Sequence, residues 1–210
     1  MIWTTATDGD LAVDAPQPGL DRRRRALVDR PWTWLRQVHG ARVVRVEAPG
    51  QHAGVEADAA VTAVPGAAVA VQTADCVPIA LTADGAVGVV HAGWRGLAAG
   101  VVEAAVHALS EAGNGPVRAE IGPCIRARCY EFGKDDLDDV AARLGDGVRA
   151  TTAWGTPALD VVEAAAAALR RAGVADVVDS GVCTACSPVH FSHRARGETG
   201  RQALVAWLGP

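Results

Sequence analysis

Three apolar runs in close succession, at 67–72, 77–82 and 86–90, constrain this chain most. Each is too short for a typical helix and each is bounded by Gly, Pro or Asp, so the spacing predicts three buried strands. The period then changes. Leu97, Val101, Val102, Ala105, Val106 and Leu109 form one helical stripe that Gly113 closes. A sheet followed at once by an amphipathic helix predicts a mixed fold of the α+β class.

Weaker signals extend the pattern. The β-branched segment 41–46 runs into the turn pair Pro49-Gly50 and reads as a strand. Thr156 as N-cap and Pro157 at the first helical position predict a helix carrying Leu159, Val162, Ala166 and Leu169 inward and stopping at Gly173. Residues 174–178 then read as a strand. Leu137, Val140, Ala141 and Leu144 are helically spaced, which makes Asp135, Asp136, Asp138 and Asp139 the wet face of a further helix. The cluster Arg22 to Arg25 reads as a solvated surface run.

No repeat or low-complexity linker divides the 210 residues, and the expectation is one domain over 1–210. No apolar run approaches the roughly 18 residues a membrane helix needs. Asp8, Asp10 and Asp14 stand where a signal peptide has basic and then apolar residues, so a cytoplasmic protein without a membrane partner is expected. The net charge of −4 gives no general attraction to nucleic acid. Neither GxGxxG nor Walker A is present, which disfavours the dinucleotide and P-loop folds. Nothing in the pattern sets an oligomeric state.

Chemistry concentrates at the predicted strand ends. His91 closes an apolar run and is followed by Gly93-Trp94-Arg95-Gly96, where glycines permit close backbone approach and Arg95 can meet an anion such as phosphate. Asp75 and Cys76 interrupt two apolar runs, and His39 precedes another. Two imidazoles and a thiolate suit zinc with one coordination position left open, although separations of 37 and 15 residues do not prove convergence. The same residues also permit a cysteine hydrolase in which His91 activates Cys76, and a non-enzymatic ligand-binding regulator. A rival metal set joins the CxxC of Cys183 and Cys186 to Cys124 and Cys129; isolated thiols are the simpler account, and a CxxC redox pair lacks its usual context because Pro188 follows closely. In a reducing compartment disulfides are not expected among five cysteines.

Five ordered motifs carry a resemblance. Gln37-Val38-His39-Gly40, Thr73-Ala74-Asp75-Cys76-Val77-Pro78, His91-Ala92-Gly93-Trp94-Arg95-Gly96, Ile121-Gly122-Pro123-Cys124-Ile125, and Phe191-Ser192-His193-Arg194 with Thr199-Gly200-Arg201 resemble the YfiH-type family. That family is also described as a laccase domain, a purine nucleoside phosphorylase or a peptidoglycan editing factor. The resemblance implies a four-layer α/β/β/α sandwich with mixed sheets. It also implies a metal site on His39, Cys76 and His91, holding zinc in preference to copper. Phosphorolysis of adenosine, inosine, guanosine or methylthioadenosine, adenosine deamination and editing of cell-wall precursors are the activities it implies, with purine nucleoside and phosphate as substrates. Arg95 is then the candidate phosphate contact, and Asp75 a candidate for proton transfer or for orienting a ligand. The family's T-x-R-x-G-G-V-S element is replaced by Thr5-Ala6-Thr7-Asp8-Gly9-Asp10, so its Arg is missing. Copper oxidase chemistry is disfavoured, because six histidines without H-x-H pairs are too few for a multicopper centre.

Overall fold

The computed structural model describes residues 1–16 and 19–209. In chain order the strands are β1 (Ile2–Trp3), β2 (Trp32–Trp34), β3 (Val43–Val46), β4 (Ala59–Thr62), β5 (Ala68–Thr73), β6 (Val77–Asp84), β7 (Ala86–Ala92), β8 (Asn114–Ile121), β9 (Arg149–Thr151), β10 (Pro157–Leu159), β11 (Asp176–Asp179) and β12 (Gln202–Trp207). The helices are α1 (Gly19–Leu27), α2 (Trp94–Ala99), α3 (Val101–Ala112), α4 (Lys134–Leu144), α5 (Val161–Arg171) and α6 (His193–Arg196).

Two mixed sheets dominate, one in the order β11-β8-β6-β7-β4-β3 and one in the order β1-β12-β5-β2. Parallel pairs β3/β4, β8/β11 and β2/β5 stand beside antiparallel ones. The mixed α+β class expected from the change of period is therefore observed.

Why the predicted strands read as unbroken apolar runs is visible in β5. Val69 and Val71 enter one buried cluster with Val87, Val89 and Leu204, while Ala68 and Ala70 enter another with Leu11, Leu20 and Val205. Alternation along a strand puts successive side chains on opposite faces, so a strand covered on both faces needs apolar residues throughout. The same alternation splits β6. Ile79 and Leu81 pack with Val102, Val106 and Leu109 of α3, and Ala80 turns to the other cluster.

Four expectations are corrected. The stripe from Leu97 to Leu109 is two helices, because Gly100 takes a left-handed conformation (φ 89°) between α2 and α3, and the first of them starts at Trp94. Residues 157–159 pair with β9 and are not helical; the helix begins at Val161, capped by Asp160, whose carboxylate accepts the N–H groups of Val162 and Glu163. Its buried residues are accordingly Val161, Ala164, Ala165, Ala167, Ala168 and Leu169, with Val162 half-buried against the same core, and Ala166 is not among them. The local signal at Thr156-Pro157 was real but lost to a cap that satisfies two orphan donors. Finally, Arg24 is not a solvated residue. It is buried on α1, with its guanidinium 5.0 Å from the Trp34 ring and 5.9 Å from that of Trp32. Among the described residues no helix is long and apolar enough to cross a membrane.

Candidate metal centre and its surroundings

The β6/β7 hairpin explains the separation of 15 between two candidate ligands. Its register pairs Val77 with Ala92 and Pro78 with His91, so Cys76, just ahead of β6, lies beside the far end of β7. The register of β4 against β7 pairs Ala59 with Val90, which places Asp58 opposite His91. The third ligand arrives on a loop. Gln37 anchors it by donating from Nε2 to the Gln72 carbonyl (2.7 Å) and accepting the Gln72 N–H (2.8 Å), a side-chain imitation of strand pairing.

His39, Cys76 and His91 converge, with one ligand atom from each lying within 4.8 Å of the others. The Cys76 Sγ is 3.7 Å from His39 Nε2, and the two imidazoles meet edge to face at 4.8 Å between centroids. Gly93 makes this approach possible. A Cβ there would stand 2.6 Å from His39 Cδ2 and 3.3 Å from the Cys76 sulfur.

Asp58 organises the centre and was not singled out by motif reasoning. It is fully buried. One oxygen meets His91 Nδ1 at 2.8 Å and accepts the His39 N–H at 2.9 Å; the other accepts the N–H groups of Gly40 (2.8 Å) and Val38 (3.2 Å). A carboxylate on one ring nitrogen fixes the histidine and leaves Nε2 as its free nitrogen, the usual support for a metal-ligating imidazole. The available clue was an acid directly at the head of the apolar segment Ala59-Ala60-Val61. His39 itself has a φ of 59°, a left-handed conformation unusual for a non-glycine residue, and the three consecutive N–H groups converging on Asp58 hold it there.

The electrostatics follow from this crowding. Burial pushes the Cys76 thiol up, but the charge on His91 and the contact with His39 outweigh it and bring the thiol down to about 6. Burial likewise pushes His91 down, and the Cys76 thiolate with Asp58 reverses that and raises it to about 9. Burial also pushes Asp58 up, yet the His91 bond and the Gly40 and Val38 N–H groups hold it below the usual carboxylate range. Without a metal the centre thus pairs a Cys76 thiolate with a protonated His91 at neutral pH, a proton that a bound cation would replace. A soft sulfur with two borderline nitrogens is a donor set suited to zinc.

Asp75, adjacent in sequence, points elsewhere. It is buried with a φ of 102°, and its carboxylate accepts Thr184 Oγ1 (2.6 Å), Ser192 Oγ (2.7 Å) and the Arg194 N–H (2.7 Å). It ties the segment 184–194 to the turn that carries Cys76. Arg95 is exposed, with its guanidinium 4.2 Å from the Trp94 ring, and among the described residues it has no carboxylate partner. An aromatic chain continues from Trp94 to Phe132 (5.4 Å) and from Phe132 to Tyr130 (5.3 Å), over which Arg194 lies at 4.9 Å. The Tyr130 hydroxyl is pushed up to about 12, first by burial and then by the negative charge of Cys76, so it remains a donor at neutral pH. A cavity of about 600 Å³ beyond this chain is lined by Phe132, Trp154, Arg194 and Cys129, but by none of the three candidate ligands.

The remaining cysteines separate in an unexpected way. Cys129, Cys183 and Cys186 come together, while the Cys124 thiol is buried apart from them and pushed up to about 12 by that burial. Cys124 pairs with the CxxC segment through its backbone: its N–H donates to the Val182 carbonyl at 3.3 Å and its carbonyl accepts the Thr184 N–H at 3.0 Å.

Residues 5–209 match the family described as multi-copper polyphenol oxidoreductase laccase. A purine nucleoside phosphorylase of Streptomyces coelicolor is 48% identical over 83% of this chain and 74% of its own length. One from Streptomyces griseus is 43% identical over 95% and 85%. Among solved structures, YlmD of Geobacillus stearothermophilus superposes with a TM-score of 0.85 at 29% identity, covering 96% of this chain and 85% of the other.

Proposed function

Because the chain belongs to the multi-copper polyphenol oxidoreductase laccase family, whose relatives include proteins named purine nucleoside phosphorylases, we propose that it is a zinc-dependent purine nucleoside phosphorylase. The observation that carries this reading is the donor set of His39, Cys76 and His91, gathered within 4.8 Å and braced by buried Asp58. Zinc held there supplies Lewis acidity at neutral pH. Copper oxidase chemistry finds less support. Of the six histidines, His39 and His91 alone share a candidate metal cluster among the described residues, and this is a site for one ion.

In phosphorolysis the phosphate oxygen bonds to ribose C1′ as the glycosidic bond breaks and its electron pair leaves with the purine. Phosphate must therefore be held near the sugar, and charge on the departing base must be met. Arg95, exposed and without a carboxylate partner among the described residues, is our phosphate contact. Tyr130, protonated at neutral pH, is a donor on the same side. Asp75 acts by position: its three accepted bonds hold the Cys76 turn against the segment 184–194. Adenosine deamination belongs to the same centre in this reading, and a role in editing cell-wall precursors rests on substrate choice alone. We place the enzyme in the cytoplasm and read 1–210 as one domain. The three buried clusters on the faces of the two sheets support a four-layer α/β/β/α stacking.

One observation favours a second reading. Cys76 Sγ lies 3.7 Å from His39 Nε2 and within 4.8 Å of a His91 ring nitrogen, and a thiolate beside a protonated imidazole is also the activated state of a cysteine hydrolase. The deciding experiment incubates the zinc-loaded chain with adenosine, inosine, guanosine, methylthioadenosine and muropeptide precursors, with and without phosphate, and identifies products by mass spectrometry. Free base and ribose 1-phosphate, formed only with phosphate and lost on chelation, are expected. Turnover that survives chelation supports the hydrolase, and no turnover of any purine nucleoside overturns the phosphorylase.

A further inference from the structure

We propose that Cys129, Cys183 and Cys186 form a second metal site, separate from the first, that takes a thiophilic cation of the zinc and copper(I) class. Their sulfur atoms all lie within 4.8 Å of one another, and Cys129 and Cys186 stand 3.4 Å apart. Thiolates bound to one zinc at about 2.3 Å are separated by about 3.8 Å in a tetrahedron, so the triangle already stands near the spacing that a single ion spans. A disulfide would need two of these sulfurs to close to about 2.05 Å and would leave the third unused. The cluster holds no imidazole or carboxylate, and an all-sulfur set selects soft cations over magnesium or calcium.

The frame around the thiols is built. Cys183 and Cys186 flank a tight turn in which the Cys183 carbonyl accepts the N–H groups of Cys186 (3.2 Å) and Ser187 (3.0 Å). Thr184, inside the turn, is fully buried and donates to Asp75, and Arg196 donates to the carbonyls of Ala185 and His190. Cys129 closes a 3-10 turn at Ala127–Cys129, anchored by its N–H on the Arg126 carbonyl (2.8 Å). Arg126 then joins the two halves. Its guanidinium grips Asp179 with two bonds of 2.6 Å and reaches the carbonyl of Val182, the residue before Cys183. Cys186 is exposed and the other two are half-buried, so an ion can enter and leave from solvent.

The test uses the full chain, prepared under reductant and stripped of metal. Zinc is counted by elemental analysis, and cadmium is titrated while its thiolate charge-transfer absorbance is followed. Wild type is expected to hold about two zinc ions per chain, and Cys186→Ser and Cys76→Ala about one each. Of four thiolates in the two sites, three belong to the second. Cys183→Ser/Cys186→Ser should therefore lose about three quarters of the cadmium absorbance, and Cys76→Ala about one quarter. Cys129→Ser, on the other side of the cluster, should behave as Cys186→Ser does, and melting curves check that each variant folds. A wild type that binds one zinc and keeps it in Cys186→Ser overturns the proposal. So does full cadmium absorbance in Cys129→Ser, or an intact mass two hydrogens light when zinc and oxygen are offered together.

Discussion

The two three-residue clusters differ in what holds them. His39, Cys76 and His91 sit at the ends of core strands or on a loop locked to them, and one buried carboxylate braces both histidines. Cys129, Cys183 and Cys186 sit on turns, one of them exposed, and are braced by a half-exposed Arg126/Asp179 pair and by Asp75 at one remove. Ligands whose positions are set by a sheet register need no metal to stay in place. Ligands on turns are held less firmly, which suits an exchangeable ion better than a reaction centre. The two clusters meet at Asp75, which follows one β-strand, precedes Cys76 and accepts the hydroxyl of Thr184 inside the CxxC turn.

The largest expected effect sharpens this contrast. Cys76→Ala should lower nucleoside turnover by more than about 100-fold and empty the first centre of zinc, because two imidazoles alone hold the ion poorly at neutral pH. Its melting temperature should stay close to wild type, since the surrounding strands pack without the metal. About two zinc ions per chain still bound in Cys76→Ala, counted by elemental analysis, would sink the assignment of Cys76 as a ligand.

Asp58→Asn comes next. It removes the charge that four groups meet, the N–H groups of Val38, His39 and Gly40 and the His91 ring, and an affinity loss of about 10- to 100-fold for zinc is expected. Stability should fall by about 1.5 to 3 kcal/mol, the usual contribution of a buried hydrogen bond to a charged group. If denaturant unfolding and zinc competition both match wild type, the core-braced picture of this centre is wrong.

Arg95→Ala should weaken phosphate-dependent turnover by about 1.5 to 3 kcal/mol, chiefly through the KM for phosphate. Cadmium loading at the thiol cluster should not move. Steady-state kinetics with phosphate varied at fixed inosine provide the measurement, and an unchanged phosphate KM removes Arg95 from the site.

Gly93→Ala probes how tightly the first centre is packed. The residue has a φ of −72°, which alanine adopts freely, so the penalty comes from the new methyl, 2.6 Å from His39 Cδ2 and 3.3 Å from the Cys76 sulfur. Displacing that ring should cost zinc affinity roughly tenfold and stability about 1 kcal/mol. Competition with a chelating dye reads the first, and wild-type affinity would show that the loop carrying His39 yields easily.

The smallest effect belongs to the thiol cluster. The Arg126 guanidinium holds the Asp179 carboxylate below its usual range, so the pair contributes stability above the unfolded carboxylate value and loses it as pH falls through the folded one. Because both partners are partly exposed, Asp179→Asn should cost no more than about 1 kcal/mol at neutral pH, and the deficit should close in acid. Melting curves across pH check this; a deficit that persists below the carboxylate range would mean that the pair is not its source.

Residue chemistry and local periodicity sufficed for the central strands and for α4, because a strand covered on both faces must be apolar throughout and an amphipathic helix must show its stripe. They also marked His39, Cys76 and His91 as residues of ligand chemistry at strand ends, and the structure brings one such atom from each within 4.8 Å of the others. Tertiary structure alone decided the rest. The separation of 15 between Cys76 and His91 acquires meaning only through the hairpin register, and the separation of 37 between His39 and Cys76 only through Gln37 pairing with Gln72. Asp58 looks like an ordinary residue at the head of a strand until β4 lies against β7. Local preference at Thr156-Pro157 gave way to a cap three residues on, and Arg24 left the basic surface for two tryptophans. The partition of the cysteines, with Cys124 buried alone and three others together, depends on a contact spanning more than 50 residues. Such contacts leave no periodic trace in a chain, because they arise where separate elements pack and not within any one of them.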